Sequence, residues 1–121
     1  MDEREFKSEF PELIRRFANY KEVVQGCSTK TVTEYLFDLR TFSKYLLAER
    51  NSLPLEGEEF EKINIAGLNT EFFASVTSTE VYSFLSYVKN ERENKNDARA
   101  RKLSAIKQFY KYCTARIMVF E

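Results

Sequence analysis

The chain has 121 residues, with 19 Lys/Arg against 19 Asp/Glu, 43% hydrophobic and 15% aromatic residues. That length suits one domain with its own core, and that composition excludes a disordered chain. No apolar run approaches the ~18 residues of a membrane span, and the charged start MDEREFKSEF lacks the apolar stretch of a secretory signal, so the expected setting is cytoplasmic.

Three glycines, two prolines and long periodic segments predict an all-α chain, a bundle of four main helices with a short extra helical turn before the third. Residues 1–9 read as a flexible N-terminal segment. The first helix is expected from about Pro11 to Gln25, with proline in the first turn, Gly26 as the left-handed stop, and Phe10, Leu13, Phe17, Tyr20 and Val24 as its apolar stripe. The second starts at Ser28 as N-cap and runs to about Glu49, with Val32, Tyr35, Leu36, Leu39, Phe42 and Leu46 at helical spacing. Residues 50–69 read as an acidic connection, after which Thr70 is the expected cap of a short turn, TEFFASV. Thr77 and Glu80 fit a capping box, with Val76 and Val81 as its staple, and so fix the start of the third helix. Val81, Phe84, Leu85 and Val88 give that helix its inner face. The fourth is expected from about Asp97 to Arg116, with Leu103, Ile106, Phe109, Tyr110 and Cys113 inward.

The balanced total hides a division of charge. Residues 1–94 carry 12 basic against 17 acidic residues, whereas residues 95–116 carry seven basic residues against Asp97 alone. A concentrated basic segment is a candidate polyanion-binding face, because neutralising phosphates releases their condensed counterions. At ~100° per residue, Arg101, Ser104, Gln108 and Lys111 fall opposite the apolar stripe of the fourth helix, with Lys107 at the edge. Cations, a hydroxyl and an amide are what DNA contact uses. A polar outer face is also what solubility alone requires of an amphipathic helix.

Catalytic chemistry has little support. Cys27 and Cys113 lie far apart with no histidine in the chain, so they read as reduced thiols and no metal or cofactor is expected. Glu56, Glu58, Glu59 and Glu61 lack the spacing of a calcium loop. Glu34 and Asp38, one turn apart, read as surface charges, and the tyrosines as packing residues.

Three runs together resemble the N-terminal core-binding domain of the tyrosine recombinase and phage integrase family: STKTVTEYLFDLRTFSKYL from Ser28 to Leu46, VTSTEVYSFLSYV from Val76 to Val88, and ARKLSAIKQFYKY from Ala100 to Tyr112. The likeness covers residues 10–116. It implies a SAM-like bundle of the phage-integrase N-terminal type, half of a clamp around double-stranded DNA that serves DNA integration and recombination. The contacts it implies are Ser28, Thr29, Lys30 and Thr31 at the start of the second helix, and Arg101, Lys102, Ser104, Lys107, Gln108 and Lys111 on the fourth. Tyr35 is assigned to the core and Arg40 to a surface ion pair. The family's catalytic half, with its nucleophilic tyrosine, has no counterpart here, so no catalytic residue is expected, and residues 117–121 read as the start of a linker towards it. The implied partners are DNA and other recombinase protomers, with no membrane and no small-molecule substrate. The rival reading is a helical protein-interaction module with no nucleic-acid role, whose basic helix and acidic connection would meet head to tail.

Overall fold

Ser28 begins the longest helix as expected: its Oγ accepts the Thr31 N–H at 3.2 Å, and the helix then runs from Thr29 to Arg50. The computed structural model describes residues 3–92 and 96–118; Lys95 and residues 119–121 of the expected linker lie outside them. In chain order the helices are α1 (Glu3–Lys7), α2 (Glu12–Asn19), α3 (Thr29–Arg50), α4 (Gly57–Glu61), α5 (Thr70–Ala74), α6 (Ser78–Tyr87) and α7 (Asn96–Tyr112). Wider π-type turns prolong α2 over Tyr20–Val24, α6 over Val88–Arg92 and α7 over Cys113–Met118. There is no strand among the described residues. The all-α bundle of four longer helices, with α5 as the short turn before the third, is the architecture found.

Local chemistry explains where α6 starts. Thr77 Oγ1 accepts the Glu80 N–H at 3.2 Å while Glu80 Oε1 accepts the Thr77 N–H at 3.0 Å, closing the capping box. Gly26 takes φ +68° after the π turn, the left-handed geometry that ends a helix without a Cβ penalty.

The core has two connected parts. Leu13, Ile14, Phe17, Val32, Leu36, Leu39, Ile65, Phe73, Phe109 and Cys113 form one; Phe42, Tyr45, Leu46, Phe84, Tyr87, Val88 and Ile106 form the other. Phe109 of α7 is the hinge of the first, edge-on to Phe17 at 5.6 Å and to Phe73 at 5.2 Å. Tyr35 packs half-buried against Phe17, so its assignment to the core holds.

Several expectations need correction. Pro11 is the N-cap of α2 and not part of its first turn, since its backbone is extended (ψ 154°). Val24 is 66% exposed because the π turn winds more residues per turn than 3.6 and swings it off the inner stripe, while Lys21, four residues after Phe17, is buried. Asn69, not Thr70, caps α5, its Oδ1 accepting the Phe72 N–H at 2.8 Å. The acidic connection contains α4, because Phe60 is buried and carries its flanking glutamates into a helical turn. Glu3–Lys7 is helical where a flexible segment was expected: Phe6 stacks edge-on against Phe10 and Phe37, at 5.2 and 5.7 Å.

Candidate nucleic-acid interface

On α7, burial divides the helix cleanly. Lys102, Ala105, Ile106, Phe109 and Cys113 face the core, while Arg101, Ser104, Lys107 and Lys111 are exposed. The exposed four recur at spacings of three, three and four, so they form one row along the outer face. Among the described residues neither Lys107 nor Lys111 has an ion-pair partner. The row presents two ammonium groups and a hydroxyl, with the guanidinium of Arg101 at its N-terminal end.

Arg101 is anchored from below. Its Nε and Nη2 each donate to Asp38 of α3 at 3.1 Å, with the arginine side chain 48% exposed and the aspartate 2%. Lys102 Nζ donates to the same carboxylate at 2.8 Å and is itself buried. Two predicted roles are overturned here. Lys102 lies on the inner face of α7, where its ammonium neutralises Asp38, so it is not a surface contact; Asp38 is a buried counter-ion and not a surface charge. One buried carboxylate therefore binds two neighbouring cations of α7 and fixes that helix to α3.

Gln108 lies beside the row, half-buried, with its Oε1 accepting from Lys21 Nζ at 2.7 Å. Lys21 also donates to Gln25 Oε1 at 2.7 Å, and its ammonium lies over the rings of Tyr35 and Phe17 at 5.4 and 5.7 Å. Gln25 comes three residues before Ser28, so Lys21 ties the approach to α3 to the middle of α7. At the α3 N-terminus, Ser28, Thr29 and Lys30 are exposed and Thr31 is half-buried. The Ser28 hydroxyl accepts from the Thr31 amide and donates to Thr31 Oγ1 at 3.1 Å, so it is engaged in capping. The helix dipole places partial positive charge at this turn, next to Lys30. The Lys21 and Asp38 contacts therefore join α3 and α7 along the first half of α3. Arg40 makes its expected ion pair, with Glu9 at 3.2 Å.

Lys21 and Asp38 were missed as site residues. The signal was present: Leu13, Phe17 and Lys21 are spaced by four, and Asp38 lies between Tyr35 and Phe42 on the inner stripe of α3. A charge inside an apolar stripe requires a buried partner. Elsewhere the thiol of Cys113 is pushed up to about 12 by burial, so it is a packing group and not a nucleophile. No group of His, Cys, Asp and Glu among the described residues is placed to hold a metal ion, and no described helix is long and apolar enough to cross a membrane.

This geometry can be set beside known proteins. The tyrosine recombinase XerC of Caldanaerobacter subterraneus subsp. tengcongensis is 33% identical over 103 residues, covering 85% of this chain and 29% of that protein. A second tyrosine recombinase XerC, from Syntrophus aciditrophicus, is 34% identical over 101 residues, covering 84% of the chain and 28% of its own length. The chain is related to the tyrosine recombinases. It spans less than a third of the length of these relatives, so the match describes one segment of such a protein. No family model and no solved structure matches the chain.

Proposed function

We propose that this chain is the DNA-gripping, core-binding segment of a tyrosine recombinase, one arm of a clamp that positions the recombination site while strand cutting and joining are done elsewhere in the full protein. The supporting observation is the row Arg101, Ser104, Lys107 and Lys111 on the outer face of α7, in a chain related to the tyrosine recombinases. Lys30 and the exposed turn at Ser28 and Thr29 extend the surface from α3. The lysines meet phosphates as point charges and Ser104 donates a hydroxyl, while Arg101, its Nε and Nη2 engaged by Asp38, closes the row at its N-terminal end. Other recombinase protomers on the same DNA are the expected partners, and the setting is cytoplasmic. The segment itself performs no strand chemistry in this reading.

Duplex binding measured against salt tests it. With Lys30, Lys107 and Lys111 each neutralising a phosphate, log affinity falls against log salt with a slope of about −3. A single arm binds weakly, since it lacks the effective concentration that a second arm of the clamp supplies. Absence of any salt-dependent duplex affinity overturns the reading, and salt-sensitive self-association in its place supports the protein-interaction rival.

A further inference from the structure

Lys21 is 5% exposed, and its ammonium has no carboxylate partner among the described residues. Two glutamine oxygens and two aromatic faces hold it instead. A lysine ammonium only donates, so any amide that meets it must present its oxygen. The orientation of Gln108 is thereby fixed: Oε1 is spent on Lys21, and Nε2, on the other branch of the amide, points away from the ammonium. The same holds for Gln25, whose Nε2 is used on the Tyr20 hydroxyl at 3.2 Å. Gln108 also lines a groove of about 100 Å³ between the π turn after α2 and the C-terminal half of α7, with Lys21, Gln25, Lys111 and Tyr112.

A glutamine with both ends free can pair with adenine, giving one hydrogen bond and accepting another. One lone pair of the Gln108 oxygen is held by a buried ammonium, so the amide cannot swing both of its ends onto one base edge. Its Nε2 and the Lys111 ammonium are donors at the groove, and the buried charge of Lys21 lies behind them with no counter-ion among the described residues. We propose that Lys21 is a positioning residue: by holding Oε1 of Gln108 it fixes the amide with its Nε2 donor turned away from Lys21, and with Lys111 this makes the groove a seat for one phosphate group of the DNA backbone. The assignment rests on the DNA-binding reading above and adds to it that Gln108 fixes position on the backbone and does not read adenine. Lys21 does this without touching DNA.

The test is a double-mutant cycle on duplex binding by the full chain, with thermal melting as the control for folding. Gln108→Ala weakens binding about threefold, the value of one hydrogen bond to a charged acceptor in a wet site. Gln108→Glu keeps the bond to Lys21 and the fold, yet weakens binding about tenfold because a carboxylate now faces the phosphate. Lys21→Met weakens binding about threefold and adds nothing in the Gln108→Ala background, because the two residues act as one unit. Equal losses from Lys21→Met with and without Gln108, or a Gln108→Glu chain that binds as well as the parent, overturn the proposal. Inorganic phosphate titrated into the chain, followed by the side-chain amide resonances of Gln108, separates the seat from the DNA reading. A shift in the parent but not in Lys21→Met supports the seat even if no duplex binds; no shift in the parent overturns it.

Discussion

Both halves of α3 are fastened by an arginine and a carboxylate, but the two carboxylates differ in burial. Near its C-terminus, Arg50 grips Glu80 through Nε and Nη2 at 2.8 and 2.9 Å, donates from Nη1 to Ser75 Oγ at 3.0 Å, and lies over the Phe72 ring at 4.8 Å. One cation meets one anion, and Glu80 also closes the capping box of α6. The clamp is neutral and joins α3, α5 and α6. Near the middle of α3, Asp38 takes bonds from both Arg101 and Lys102, and both the carboxylate and the lysine are buried. The first pair is reached by water, whereas the second holds Lys102 and its carboxylate in the interior.

Asp38→Ala has the largest expected effect. Lys102 then keeps a buried charge with no counter-ion, and the chain loses about 3–5 kcal/mol of stability in urea unfolding. A loss below about 1 kcal/mol would mean that Lys102 reaches solvent, leaving the two sites without the contrast drawn here. Glu80→Gln is expected to cost about 1–2 kcal/mol at neutral pH, because a charged bidentate contact becomes a neutral one.

The two ends also differ in acid. The bond from Arg50, with the Thr77 amide adding to it against the opposing effect of burial, holds the Glu80 carboxyl below its ordinary value of 4.5. A carboxyl lowered on folding contributes stability that is full above its unfolded value and is lost as pH falls through the folded value. Unfolding free energies of parent and Glu80→Gln should therefore differ most near pH 7 and converge below pH 4.5. A gap that is the same at pH 7 and pH 3 would show that the ion pair contributes nothing. The smallest effect is that of Ser28→Ala, about 1 kcal/mol from the lost N-cap, with α3 otherwise intact by circular dichroism.

What could be read from the sequence was what is local. Ser28 and the Thr77–Glu80 box announce themselves because cap and amide lie three residues apart, and the row of α7 follows from helical spacing. The site's interior could not be read that way. Asp38 meets Arg101 and Lys102 across 63 and 64 residues of chain, and Lys21 meets Gln108 across 87, so local pattern carried only the hint of a charge on an apolar stripe. Likewise α4 was hidden by its own acidity: four glutamates suggested a solvated loop, while the buried ring of Phe60 decided the conformation. The π turn after α2 departs from the 3.6-residue period, so Val24, expected inside, faces solvent.

The central claim is that the exposed row of α7 meets the sugar-phosphate backbone. Duplex affinity of Lys107→Ala with Lys111→Ala, measured across a salt series beside a control double variant of two exposed lysines elsewhere, Lys62→Ala with Lys89→Ala, tests it most directly. The account predicts that the α7 variant loses about two units of salt slope while the control keeps the parent's slope. Equal slopes for the two variants would contradict it.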